Sequence, residues 1–284
     1  MAVVLDGIAY GLQLAVLAVG LTLIYGLGGV LNLAHGQFAV VVAIAASLLV
    51  RNGVPTLWAV IAGVALGAVL ALAVDASLMR PVYRLRGEAR VLLSLLLTIG
   101  LAFVIDGLLV SYYPFTALKL SVSGPAVTIL GVAMRRGSLV ASVVALVALG
   151  ALIVFLRYTR RGKAVRSIIQ DEEGAQLCGI NPARVRTAVF ALSGGLAGVA
   201  AVTEGLTSSL NATDGLNLTI LALIVTVVGG LGSVAGALLA GLLLGIIYTL
   251  STFYIGAYVT FIILLVAAMA TILIRPSGLL GRGA

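Results

Sequence analysis

Residues 138–156 read SLVASVVALVALGALIVFL, and residues 157–186 continue as RYTRRGKAVRSIIQDEEGAQLCGINPARVR. The first stretch carries no charge and, at about 1.5 Å per residue, is long enough to cross a hydrocarbon core of about 30 Å as a helix. The second is a polar island holding Arg157, Arg160, Arg161, Lys163, Arg166, Arg184 and Arg186 together with Asp171, Glu172 and Glu173. Outward from this junction in both directions the chain is again apolar. Hydrophobic residues make up 62% of the 284 and charged residues 9%, against roughly a quarter charged in an ordinary soluble domain. So few charges cannot cover a water-soluble fold of this size. The apolar runs lack the two-residue alternation of barrel strands, so the backbone must satisfy itself as helices. The reading is an all-α polytopic transmembrane bundle, one domain over residues 1–284 with a cytoplasmic loop at 157–187.

Spans are expected near 7–27, 37–50, 57–79, 91–111, 138–156, 188–206, 218–231, 236–252 and 257–274. That makes about nine crossings, with eight or ten also compatible; the second and seventh pieces are short enough to be half-helices or a re-entrant pair. Of the 17 basic residues, Arg80, Arg84, Arg86 and Arg90 lie in one loop, seven lie in the island, and Arg275 and Arg282 lie in the tail. All three segments fall on one face, which the positive-inside rule makes cytoplasmic, with the N-terminus outside and the C-terminus inside. The opposite face keeps Arg51, Lys119 and the pair Arg135 and Arg136, which ends a long outer segment beginning near Tyr112. The net charge of +8 is accounted for by this sorting and by anionic lipid, without a nucleic-acid partner. Asp6 is the only charge before Arg51, so no basic n-region marks a cleaved signal and the first helix is expected to stay. The lone Cys178 permits no intrachain disulfide and reads as a structural thiol.

Several of the 35 glycines are four apart: Gly7 and Gly11, Gly63 and Gly67, Gly194 and Gly198, Gly232 and Gly236, Gly241 and Gly245. Each pair shares a helix face and lets a neighbouring backbone approach, which is packing within the bundle. Two clusters differ, Gly26 to Gly36 and Gly229 to Gly236, because they interrupt apolar runs in the first and last thirds of the chain. Such interruptions point to broken helices beside a transport path. Asn32, His35 and Gln37 at the first break, and Gly229, Gly230 and Ser233 at the second, are the candidates for lining that path. For His35 the competing reading is an imidazole bonded to a carbonyl of the adjoining helix, since it has no metal partner and no carboxylate near it in sequence. Asp75 and Glu204 fall near span ends, while Asp106 lies deep in its run and must find a protein or water partner.

Catalytic patterns are absent. There is no H-x-x-x-H, C-x-x-C or G-x-S-x-G, and with Lys119 and Lys163 as the only lysines there is no phosphate loop. No catalytic residue, metal site or cofactor is expected, and any ATP hydrolysis must come from another subunit. The island supplies a place for one. Asp171, Glu172 and Glu173 precede Ala175 and Leu177, and Gly179 and Pro182 follow. Acids at a helix start and glycine then proline past its end delimit a helix of about two turns. Asp171, Glu172, Glu173, Ala175, Leu177 and Gly179 are therefore the candidate contact to a cytoplasmic partner, the alternative being a solvated loop helix.

Glu173-Gly174-Ala175, three residues, then Gly179 resembles the E-A-A-x-x-x-G loop of bacterial ABC importer permeases, with Gly174 replacing the first alanine and no I-x-L-P extension. Asn32-Leu33-Ala34-His35-Gly36 resembles the N-[FL]-A-H-G motif of branched-chain amino acid permeases of the LivH type. Gly229-Gly230-Leu231-Gly232-Ser233, Gly179-Ile180-Asn181 and Arg275-Pro276-Ser277-Gly278-Leu279-Leu280-Gly281 resemble later motifs of the same family, in family order. The resemblance implies an importer bundle with broken helices in the bacterial cytoplasmic (inner) membrane. Its partners would be a paralogous M-type permease, two cytoplasmic ATP-binding subunits and a periplasmic or lipid-anchored solute-binding protein, with Glu173 to Gly179 as coupling helix. Branched-chain amino acids lead as cargo; urea, short amides and aromatic acids are carried in the same branch. A secondary transporter or channel is the rival class, and it would need ion-coupling carboxylates, for which Asp106 is the candidate.

Overall fold

The computed structural model describes residues 2–114, 119–120, 127–129 and 132–281. The tail arginine Arg282 and parts of the outer segment after Tyr112 lie outside the described residues. The helices are α1 (Ala2–Gly28), α2 (His35–Arg51), α3 (Thr56–Val74), α4 (Arg80–Val82), α5 (Gly87–Tyr112), α6 (Arg136–Tyr158), α7 (Arg160–Gln170), α8 (Glu172–Leu177), α9 (Pro182–Thr207), α10 (Gly215–Gly229), α11 (Val234–Tyr254) and α12 (Ala257–Ile274). Between α3 and α4 the helix widens into a π turn at Asp75–Met79. Pro81 has no N–H to offer the Ser77 carbonyl and its ring crowds it, which opens the turn. A two-stranded hairpin, β1 (Val127–Ile129) and β2 (Val132–Met134), pairs Val127 with Met134 between α5 and α6.

Among the described residues seven helical stretches are long and apolar enough to cross a membrane, and α2 and α10 are the two shorter apolar helices. These are the pieces that their lengths in sequence had set apart. Where α5 and α9 begin earlier than expected, at Gly87 and Pro182, the added turns carry Glu88, Arg90, Arg184 and Arg186, polar residues that extend the helix beyond its apolar run.

α1 is apolar all round and forms the axis of the bundle, with an unbroken buried run from Gly11 to Ile24, as expected of a helix without a polar face. It packs on α11, α9, α10 and α6, while α3 lies on α9 and α2. The glycine pairs set these approaches. A Cβ on Gly11 would sit 2.7 Å from the Gly241 carbonyl oxygen, and one on Gly67 would sit 2.5 Å from that of Gly194. The pairs on α1 and α11 therefore face one another, as do those on α3 and α9.

Candidate functional site

The first break is short and fully engaged. α1 ends at Gly28, Gly29 takes φ +59, and the chain runs without helix until His35 opens α2. Such a segment inside an apolar bundle must find donors and acceptors elsewhere. Ser94 and Thr98 of α5 supply them: the Leu31 N–H donates to Ser94 Oγ at 3.2 Å and the Leu33 N–H to Thr98 Oγ1 at 3.0 Å. The Ala34 N–H donates to the Asn32 side-chain oxygen at 3.0 Å. His35 Nε2 lies 3.2 Å from the Leu17 carbonyl oxygen in the middle of α1, the neighbouring-helix contact that was the competing reading for this residue. Gln37 donates to Asp106 Oδ1 at 2.7 Å, so the deep carboxylate has a partner.

α10 begins beside this break. The Gly36 N–H donates to Thr219 Oγ1 at 2.9 Å, and the Gln37 amide lies directly against the Gly215 Cα, where a Cβ would collide with it. Two short helices thus start next to each other inside the bundle, each reached by a non-helical segment, residues 29–34 and 208–214. Helix starts leave backbone donors unpaired and carry positive partial charge. Around them sit four buried side-chain atoms without a hydrogen-bond partner among the described residues: Asn32 Nδ2, His35 Nδ1, Gln37 Oε1 and Ser193 Oγ. Each such group costs about 1–3 kcal/mol when buried. Asn32, His35 and Gln37 carry three of these atoms and Ser193 of α9 the fourth.

The second cluster meets the start of the first at the end of the bundle that carries the basic loops, where a Cβ on Gly26 would lie 2.9 Å from the Gly232 Cα. Gly229 and Gly230 seat the C-terminal tail: the Leu279 N–H donates to the Val228 carbonyl at 2.8 Å and the Leu280 N–H to the Gly229 carbonyl at 3.2 Å. Ser233 caps α11 by accepting from the Gly236 N–H at 3.1 Å. It also lines a cleft of about 580 Å³ between the end of α1, α6, α7 and the start of α11, with Arg166 and Gln170 at its polar side. The 229–233 and 275–281 motifs, far apart in sequence, pack on each other.

The island folds as two helices. α7 is capped by Thr159, whose side chain accepts from the Gly162 N–H at 3.0 Å, and it buries Val165 and Ile168. α8 is capped by Asp171, which accepts from the Gly174 N–H at 3.0 Å. It closes with Gly179 at φ +81, the left-handed conformation that favours glycine past a helix end. Six residues long, α8 is near the expected two turns. Its faces are sharply different: Leu177 is 91% exposed and Ala175 2%. Glu173 points outward, whereas Glu172 turns back to form an ion pair with Arg186 at 2.5 Å. Asp75, expected near a span end, is 1% exposed and accepts from Thr187 Oγ1 at 2.5 Å and from the Tyr83 hydroxyl at 3.4 Å. Burial, and then the Asp75 carboxylate, push the Tyr83 phenol up, so it remains a donor.

Sequence reading missed Ser94, Thr98, Ser193, Thr219, Tyr83 and Arg186. A signal for part of this set was present: Ser94, Thr98, Ala102 and Asp106 recur every four residues and so share one face of α5. Arg186 gave none, because one arginine in a basic loop resembles its neighbours.

Residues 3–274 match the family described as branched-chain amino acid transport system, permease component. The chain is 30% identical to the high-affinity branched-chain amino acid transport system permease protein LivH of Escherichia coli K12, over 98% of this chain and 94% of that one. It is 28% identical, with the same coverage, to the corresponding protein BraD of Pseudomonas aeruginosa, and 29% to the probable LivH of Methanocaldococcus jannaschii, over 98% and 92%. A chain of the solved PsaBC complex of Streptococcus pneumoniae aligns at TM-score 0.49 and 13% identity over 95% of this chain and 89% of that one, a likeness too slight to carry weight. With the match spanning nearly every described helix, the chain belongs to the family of branched-chain amino acid transport system permeases.

Proposed function

We propose that this chain is the membrane-spanning permease subunit of an ATP-driven importer of branched-chain amino acids. The observation that carries the reading is the pair of short helices starting side by side within the bundle, beside buried polar atoms without partners among the described residues. A rigid scaffold would not gain by gathering such groups in one place. A permease that alternates between conformations can, because water or the polar ends of a passing amino acid satisfy them when the path opens. Asn32, His35 and Gln37 are assigned to that path and Ser233 to its cytoplasmic end, with Gly229 and Gly230 fixing the loop that shapes it. α2 and α10, each completed by its non-helical segment, bring the crossings to nine, with the N-terminus outside and the basic end in the cytoplasm.

Work is supplied from outside the chain. α8 presents Glu173, Leu177 and Gly179 to two cytoplasmic ATP-binding subunits. A paralogous permease completes the bundle as a heterodimer, and a solute-binding protein delivers cargo. The test is reconstitution in vesicles with those partners: leucine, isoleucine and valine enter only with ATP and the binding protein, while the isolated permease hydrolyses no ATP. ATP-independent leucine uptake by this chain alone, or uptake of urea with none of leucine, overturns the proposal.

A further inference from the structure

Arg186 lies in the second turn of α9 and is 8% exposed. Its NH2 group donates to Glu172 Oε2 of α8 at 2.5 Å, and its Nε donates to the Leu27 carbonyl oxygen at 3.4 Å. The guanidinium carbon stands 5.0 Å from the centre of the Tyr83 ring. Tyr83 in turn donates to Asp75, which also holds Thr187. Beside them Arg90 donates to the Gly28 carbonyl at 3.1 Å and to the Tyr83 carbonyl at 3.4 Å.

The carbonyls of Leu27 and Gly28 belong to the last turn of α1, where the helix itself provides no donor. Two arginines therefore finish the helix at the point where it breaks. A planar guanidinium can stack on an aromatic face while its edge donates to a carboxylate and a carbonyl in a fixed fork, a geometry that the compact, rotating ammonium of lysine does not hold. With the charge buried, loss of one partner is costly, so the link is stiff.

We propose that Arg186 is the positioning residue that carries a displacement of α8 into the last turn of α1 and so into the break at residues 29–34. α8 pulls on Glu172, Glu172 on Arg186, and Arg186 on Leu27, two residues before Gly29. The non-helical segment then moves against its seats on Ser94 and Thr98. This role rests on the reading of α8 as the contact to an ATP-hydrolysing partner.

Two measurements test it on the reconstituted complex. The first is backbone hydrogen exchange at residues 29–34, which is independent of cargo. Glu172→Ala, which leaves Arg186 on Leu27 and Tyr83, should raise exchange there, and Arg186→Gln should raise it further. Gln176→Ala, on the same helix but outside the chain of contacts, should not. The second is leucine taken up per ATP hydrolysed, expected to fall by roughly two- to thirtyfold in Glu172→Ala and Arg186→Gln, with Arg186→Lys between them and the unmodified protein. Unchanged exchange at 29–34 in Glu172→Ala, or an unchanged leucine-to-ATP ratio in that variant, overturns the inference, even if Arg186→Gln fails to assemble. Absence of leucine uptake by the unmodified complex would instead overturn the cargo assignment, leaving the exchange experiment to decide the relay.

Discussion

Thr219→Val isolates the bond that joins the two short helices. Thr219 Oγ1 accepts from the Gly36 N–H at 2.9 Å and donates to the Gly215 carbonyl at 3.0 Å. Gly36 and Thr219 are both buried. Valine keeps the β-branched outline and removes only the oxygen. The Gly215 carbonyl lies in the first turn of α10, where the backbone ladder supplies a donor. The Gly36 N–H lies in the first turn of α2, where nothing replaces the lost acceptor. Leaving it unpaired costs about 1–3 kcal/mol, and side-chain bonds between membrane helices average nearer 0.6, with a maximum of about 1.7; about 1–2 kcal/mol is the expected loss. At roughly 2–4 °C per kcal/mol for a large domain, the unfolding midpoint of the detergent-purified protein should fall by about 2–8 °C. Thr219→Ser should restore it. Thr203→Val is the control, because Thr203 is equally buried but its hydroxyl only donates back to Ala200 within its own helix, so its removal strands no donor. Equal midpoints for Thr219→Val and Thr203→Val would refute the claim that this bond holds the junction.

Gly11→Ala should lower the yield of folded protein by the cost of overpacking, about 1–3 kcal/mol, since its Cβ would lie 2.7 Å from the Gly241 carbonyl. Gly100→Ala, with nothing within 4 Å, should be neutral or gain up to about 1 kcal/mol of helix propensity; comparing membrane yields of the two checks both. Gly179→Val forces a β-branched residue into φ +81 at roughly 1–2 kcal/mol, and uptake should fall while the subunit stays in the membrane. Leu177→Asp should leave folding intact, since the side chain is almost wholly exposed, but should reduce the amount of ATP-binding subunit that co-purifies.

The membrane class, the all-helical fold, the two apolar helices shorter than the rest and the capped helix of the island were legible from the chain alone. Each is a local property: a run of apolar residues must be a helix in lipid, and an acid-led segment stopped by glycine reads the same wherever it is placed. The glycine pairs announced close packing, but their spacing could not say that Gly11 meets Gly241 while Gly67 meets Gly194. Likewise Asn32, His35 and Gln37 are neighbours in sequence, yet their burial among Leu17, Asp106 and Gly215 follows from chain segments up to 180 residues away. Gly229 and Ser233 share a motif, but one seats the tail and the other lines the cleft, because a turn between two helices sends its two sides in different directions. Glu172 and Glu173 are adjacent and alike, and only the helix rotation set by burying Ala175 turns the first to Arg186 and the second to solvent. Pairing between distant segments is a property of how helices pack, and one-dimensional periodicity records which face is buried without recording what buries it.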